Sequence, residues 1–158
     1  MIDIPPELLE DNFAKLFIRG AIFLCKNYDL WDATPKDKFI LILNGRDSDS
    51  WTYFYLPTSK VDKHRKNPVY SKSLYVISPG EVECFTKETS IIIRNVHQKK
   101  YDRFKRKFVN PTDTDRLRFL QMMPENIMDD IYQKIMASVE IPLLKKKKIL
   151  PPEFFASD

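Results

Sequence analysis

Glycine is nearly missing from this chain: Gly20, Gly45 and Gly80 are its three glycines in 158 residues. No Walker-type phosphate loop or dinucleotide fingerprint can be drawn from so few, which argues against a Gly-rich nucleotide loop. Cysteine is equally scarce. Cys25 ends the apolar run Ala-Ile-Phe-Leu-Cys and Cys84 sits between Glu83 and Phe85. Two such residues build no disulfide framework. Cys25 reads as a small buried hydrophobe and Cys84 as a strand residue. The two histidines, His64 and His97, have no ligand spacing with each other or with the cysteines, so no metal site and no cofactor is expected. Long apolar stretches are absent too. Phe39 to Leu43 is a run of five, against the ~20 residues that a membrane-spanning helix needs. The amino-terminal Met-Ile-Asp-Ile-Pro-Pro-Glu is acidic and unlike a secretory signal, so a cytoplasmic location is expected, without a membrane partner.

What is present is a soluble composition, 43% hydrophobic and 30% charged, with eleven prolines and a net charge of +4. This length suits one domain over residues 1–158. The basic residues are clustered. Lys60, Lys63, Arg65, Lys66 and Lys72 crowd one segment, and Lys99, Lys100, Arg103, Lys105, Arg106 and Lys107 a second. Lys145 to Lys148 form a third, so five, six and four of the 26 basic residues fall in three places. Such clustering points to an anionic partner, either RNA or an acidic polypeptide; each cluster taken alone also fits a solvated face.

The periodicities predict a helix over 5–18, with Leu9, Phe13, Leu16 and Phe17 on one face. Strands follow near 21–25, 39–44 and 51–56, the last two separated by Asn44-Gly45 and a polar loop. Residues 60–73 read as a long basic loop. Short strands are expected at 74–77 and 82–85, a stronger one at 89–94, and a basic helix over 97–108. Residues 116–121 fit a strand or a helical turn. Ile127, Ile131 and Ile135 recur every four residues and predict a helix over 124–138. The basic, proline-containing tail from 142 to 158 reads as loosely ordered. Short strands, long loops and a closing helix together suggest a mainly β fold with helices attached, a small bent antiparallel barrel. Phe23, Ile40, Ile42, Phe54, Ile92, Ile131 and Ile135 are its expected core.

The order of these parts resembles the MazF/PemK-like family of toxin ribonucleases from bacterial toxin–antitoxin pairs. The matching pieces are Gly20-Ala-Ile-Phe-Leu, Lys38-Phe-Ile-Leu-Ile-Leu-Asn44, Leu56-Pro-Thr-Ser59, Val76-Ile-Ser-Pro-Gly-Glu81, Thr89-Ser-Ile-Ile-Ile and the helix from Pro124. The resemblance spans roughly residues 20–140 and implies an SH3-like barrel, with the helix at 5–18 as an extension. It also implies a homodimer that cuts single-stranded RNA without a metal, and an acidic antitoxin covering the same groove. In such chemistry the RNA's own 2′-hydroxyl attacks the adjacent phosphate. A base, cations for the developing charge and an acid for the leaving oxygen are needed.

Carried onto this chain, the resemblance assigns Lys38 and Arg94 as cations and Thr58 and Ser59 as phosphate donors. The charge clustering itself makes Lys60, Lys63, His64, Arg65 and Lys66 candidate RNA contacts, with His64 also a candidate acid or base and Tyr28 and Trp31 loop aromatics able to stack bases. Lys38 stands where the family usually has arginine, which keeps the charge but not the planar fork. An arginine and an acid two residues apart, found in some members, align here with Ile93 and Asn95, leaving Arg94 one step out of phase. These departures keep a second reading open: a non-catalytic RNA- or protein-binding module on the same barrel.

Overall fold

A computed structural model describes residues 4–28 and 36–156. The most apolar segment, Phe39 to Leu43, sits at the middle of the molecule, and its burial on both faces organises everything else. It belongs to β2 (Lys36–Asn44), the central strand of a five-stranded antiparallel sheet. The other strands are β1 (Ala21–Tyr28), β3 (Trp51–Tyr55), β6 (His97–Lys100) and β7 (Leu117–Met122), in the order β6-β3-β2-β1-β7. β4 (Leu74–Ile77) and β5 (Thr89–Ile92) form a separate antiparallel pair. Side chains alternate across a strand, so Ile40 and Ile42 of β2 enter one apolar cluster while Leu41 and Leu43 enter another. A strand covered on both sides reads as an unbroken apolar run rather than an alternating one.

On the first face lie α1 (Pro6–Leu16) and α4 (Tyr101–Val109). Phe13 and Phe17 stack at 4.6 Å and meet Tyr101, Phe104 and Phe23 in an aromatic layer, so the amino-terminal helix closes this half of the core. Gly20 turns the chain from α1 into β1 with a φ of +89°, a conformation that glycine adopts without strain. Its N–H donates to the Ile42 carbonyl, and its carbonyl accepts from Met123 N–H.

On the second face lie the β4–β5 pair and α5 (Glu125–Ala137), whose Ile127, Ile131 and Ile135 are all buried. Also there is α6 (Leu143–Ile149). Of the expected core, Phe23, Ile40, Ile42, Phe54, Ile131 and Ile135 are fully enclosed, whereas Ile92 is half-buried and its neighbours Ile91 and Ile93 point inward. On a strand, one step exchanges the two faces.

The antiparallel sheet with attached helices agrees with the reading from sequence, but the fold is mixed α and β rather than mainly β, and several local expectations differ. Val82–Phe85 is a turn, closed by Phe85 N–H on the Val82 carbonyl, so that both apolar ends face inward. The expected helix over 97–108 begins as β6, because pairing with Trp51–Phe54 overrides its helical pattern. The basic stretch 60–73 folds into α2 (Val61–Arg65), anchored by buried Val61, and α3 (Pro68–Ser71), capped by the Asn67 side chain. Residues 117–122 form the strand β7. The tail is docked: Ile149 and Leu150 are buried, and a 3-10 turn follows at Pro152–Phe155.

Candidate functional site

The end of β3 and the start of β2 build a groove. Past Tyr55, Pro57 removes one backbone donor, and Thr58 then leaves the large sheet to bridge β5. Its N–H donates to the Ser90 carbonyl at 3.0 Å, and Ser90 N–H returns a bond to the Thr58 carbonyl at 2.8 Å. Leu41 lies opposite Tyr55 and Ile42 opposite Phe54. That antiparallel pairing sends Lys38 and Thr58 to the same end of the hairpin. A groove of about 250 Å³ opens there, lined by Lys36, Asp37, Lys38, Thr58, Ser59 and Lys60, with Phe39 and Pro57 beneath.

Three lysines outweigh the single carboxylate of Asp37 in the groove. Lys36 and Lys38 share a face of β2, being two residues apart. Burial lowers the Lys38 pKa from its ordinary value, and the Lys60 and Lys36 charges lower it further. Lys38 thus surrenders its proton more readily than a solvated lysine. The Thr58 hydroxyl accepts from Lys60 N–H at 3.2 Å, which leaves its own proton to donate outward. Ser59 is exposed beside it. Asp37 accepts from Asn27 N–H at 3.1 Å through one carboxylate oxygen.

The remaining candidates scatter. His64 on α2 lies with Nδ1 3.5 Å from the buried Ser90 hydroxyl, behind the Thr58–Ser90 bridge and outside the groove lining. Burial, Lys63 and Lys60 lower its pKa from the ordinary value, which favours the neutral ring. Arg65 is engaged by Glu88 through two bonds of 3.1 and 3.2 Å and by Asp62 at 3.3 Å, so the acids near this cluster partly neutralise it. Lys63 and Lys66 are exposed on α2 and the residue after it. Arg94 is exposed on the turn beyond β5, where its N–H bonds the Ser73 hydroxyl. It lies four residues beyond Ser90, the residue that Thr58 bridges, and does not line the groove. Tyr28 is the last residue of β1 and is 4% exposed, with Lys99 Nζ 3.9 Å above its ring. Trp31 lies outside the described residues.

Sequence reasoning overlooked Lys36 and Asp37. The available signal was the Lys-Asp-Lys triplet before the apolar run, whose period of two aligns both lysines. Cys25 and Cys84 are thiols whose pKa burial raises, so neither is a ready nucleophile. Among the described residues no group of three or more His, Cys, Asp or Glu side chains gathers to hold a metal ion. No described helix is long and apolar enough to cross a membrane. In comparisons with known proteins, the chain matches no family model, and no curated protein matches it.

Proposed function

We propose that the protein is a metal-independent endoribonuclease of the MazF/PemK kind that cuts single-stranded RNA in the Lys38 groove. The observation that carries this reading is the convergence of Lys38, Thr58 and Ser59 with Lys36 and Lys60 in one groove. The bend by which Thr58 passes from one sheet to the other supports an SH3-like barrel as the finer description of the fold. In this reading the RNA 2′-oxygen forms a bond to the adjacent phosphorus as the bond to the 5′-oxygen breaks. Lys36 and Lys60 neutralise the developing phosphorane charge, and Thr58 and Ser59 orient its oxygens. Lys38, with its lowered pKa, hands a proton to the leaving oxygen, and Asp37, the carboxylate in the groove, accepts the 2′-hydroxyl proton. An acidic antitoxin would cover the same cations, the active form would be a homodimer, and the setting would be the cytoplasm.

The test is cleavage of mixed-sequence single-stranded RNA in the presence of EDTA. Lys38→Ala is expected to lower the rate about 100-fold, the usual loss when one transition-state contact is removed. Lys38→Arg should keep RNA affinity but shift the alkaline limb of the pH–rate profile upward, since arginine holds its proton. Wild-type rates in both Lys38→Ala and Thr58→Ala would reject the site. The second reading, a non-catalytic binding module, is favoured by the position of Arg94 and Asn95 away from the groove, and by Asn95 being no base. RNA that is bound and never cut by the wild-type protein would establish it.

A further inference from the structure

A second basic cleft lies between α4 and the end of β1, with a volume of about 240 Å³. Tyr28 and Phe104 are its aromatic lining, Lys99, Arg103 and Arg106 its cations, and the Lys107–Asp115 pair closes one side.

Its construction follows from one backbone irregularity. The β1–β2 register shifts between Cys25 and Tyr28, where Asn27 takes a φ of +61°. Asparagine tolerates that left-handed conformation better than most residues. Beyond the bulge the strand end folds over the sheet face. Tyr28 meets Phe54 of β3 edge-on at 6.2 Å and lies under Lys99 of β6, although two strands separate β1 from β6. α4 crosses the same face with Phe104 turned into the core. Arg103 and Arg106 lie three residues apart, which makes them neighbours on the helix surface.

The charges are not equivalent. Lys107 is only 14% exposed and is held by Asp115 at 2.6 Å. Among the described residues, no carboxylate pairs with Arg103 or Arg106. The cleft therefore presents two exposed guanidinium groups around one concavity, with Lys99 lying over the Tyr28 ring on one side and Asp115 bounding it.

We propose that this cleft is a phosphate-binding subsite for single-stranded RNA, holding a backbone phosphate at some remove from the one in the Lys38 groove. The proposal rests on the RNA reading of that groove and extends it. Two observations favour a phosphate over the carboxylates of an acidic peptide. Two guanidinium forks on adjacent helix positions suit the several oxygens of one phosphate. The second is that Tyr28 of the cleft is the strand partner of Lys36 of the groove, so the two basic concavities adjoin one β1–β2 pair.

Binding of a labelled 2′-O-methyl decaribonucleotide, which cannot be cut by 2′-hydroxyl attack, tests this in the full chain by fluorescence anisotropy across a salt series. Arg103→Ala/Arg106→Ala is expected to weaken binding about tenfold at low salt, as for loss of charge-assisted bonds. The slope of log K against log salt should fall by about 0.7 for one lost phosphate contact on a single strand. Both arginines are exposed, and circular dichroism checks that the variant remains folded. Unchanged affinity and slope in the folded variant would overturn the proposal. So would a glutamate decapeptide that binds more tightly than the oligonucleotide and loses affinity in the same variant. Cleavage of the unmodified RNA is scored separately. Uncut RNA that still needs Arg103 and Arg106 for binding keeps the cleft and removes the nuclease reading. Cut RNA whose affinity ignores both arginines keeps the nuclease and removes the cleft.

Discussion

Replacing Ile149 and Leu150 by alanine should unfold much of the protein's stability margin, although both lie in a tail that looks dispensable by composition. Ile149 is fully buried and Leu150 is 1% exposed, within the cluster that contains Leu41, Leu43 and Ile131. Around them the tail is tied at several points. Arg19 donates to the Leu43 carbonyl at 3.0 Å and reaches the Leu150 carbonyl at 3.4 Å. Lys146 Nζ donates to the Met136 carbonyl at the end of α5 at 2.8 Å, and Phe154 meets Tyr132 edge-on. Truncating a buried isoleucine or leucine to alanine costs about 2–5 kcal/mol, depending on how far the site collapses. For a chain of 158 residues, each kcal/mol lowers Tm by about 2–4 °C. A loss of about 3 kcal/mol from Ile149→Ala alone then gives a drop of about 6–12 °C. The two substitutions share neighbours, so their effects will not add strictly. Even one is a large fraction of the ~5–15 kcal/mol that separates folded from unfolded domains. Leu144→Ala is the control: that side chain is 77% exposed, and its loss should be within about 0.5 kcal/mol of neutral. Urea denaturation reads the result as a shift of the midpoint at constant slope. A double variant that melts within about 2 °C of wild type would mean that the tail does not dock on the sheet.

Two further outcomes follow from the turn between β2 and β3. At Gly45 an added Cβ would collide with the Phe17 carbonyl oxygen, a backbone atom that cannot swing away, so Gly45→Ala should cost about 1–3 kcal/mol by denaturation; a neutral result would refute that close approach. Burial pushes the Asp47 carboxyl up, but N–H bonds from Trp51 and Asp49 and the Lys148 ammonium outweigh it and hold the pKa below its ordinary 3.8. In acid the unfolded chain then binds the proton more readily, so the stabilisation is complete above pH 3.8 and is lost as pH falls through the lower folded value. Denaturation midpoints across the acid range should show a steeper loss in wild type than in Asp47→Asn, and parallel profiles would refute the assignment.

The parts of the fold that were legible are those whose partners are local. β2 and β3 are separated by an Asn-Gly break, and each carries enough apolar or aromatic residues to specify a strand alone. α5 repeats isoleucine every four residues, and nothing in its polar face contradicts that period. β6 failed because His-Gln-Lys-Lys has no apolar alternation. It is an edge strand, where lysines are at home, and it exists through backbone pairing to Trp51–Phe54. α6 was hidden by Lys145 to Lys148: four charges in a row mask the short apolar anchor that follows, and only the sheet it docks on shows that Ile149 and Leu150 are core.

The same distinction governs the sites. Lys38 and Thr58 could be brought together from sequence because they flank one hairpin, and the strand register fixes which ends meet. Arg94 could not be placed, because it follows a strand whose pairing partners lie in another sheet. Its family match counts residues along the chain, whereas the bridge at Ser90 sets which end of β5 faces Thr58. The cleft beside α4 was the least legible. It joins a bulge at Asn27, an edge-strand lysine and a helix more than seventy residues further on, and no local period connects them. The six basic residues between Lys99 and Lys107 looked alike in sequence. Packing sorts them: Lys107 is held by Asp115 and Lys105 reaches Glu10 at 4.0 Å. Lys100 lies 4.2 Å above the Trp51 ring, and Lys99, Arg103 and Arg106 line the cleft. A charge cluster thus becomes a candidate site only where the fold makes it concave and leaves part of it without carboxylates. That is why neutralising Arg103 and Arg106 should weaken binding to RNA while the equally basic Lys105 and Lys107 contribute little.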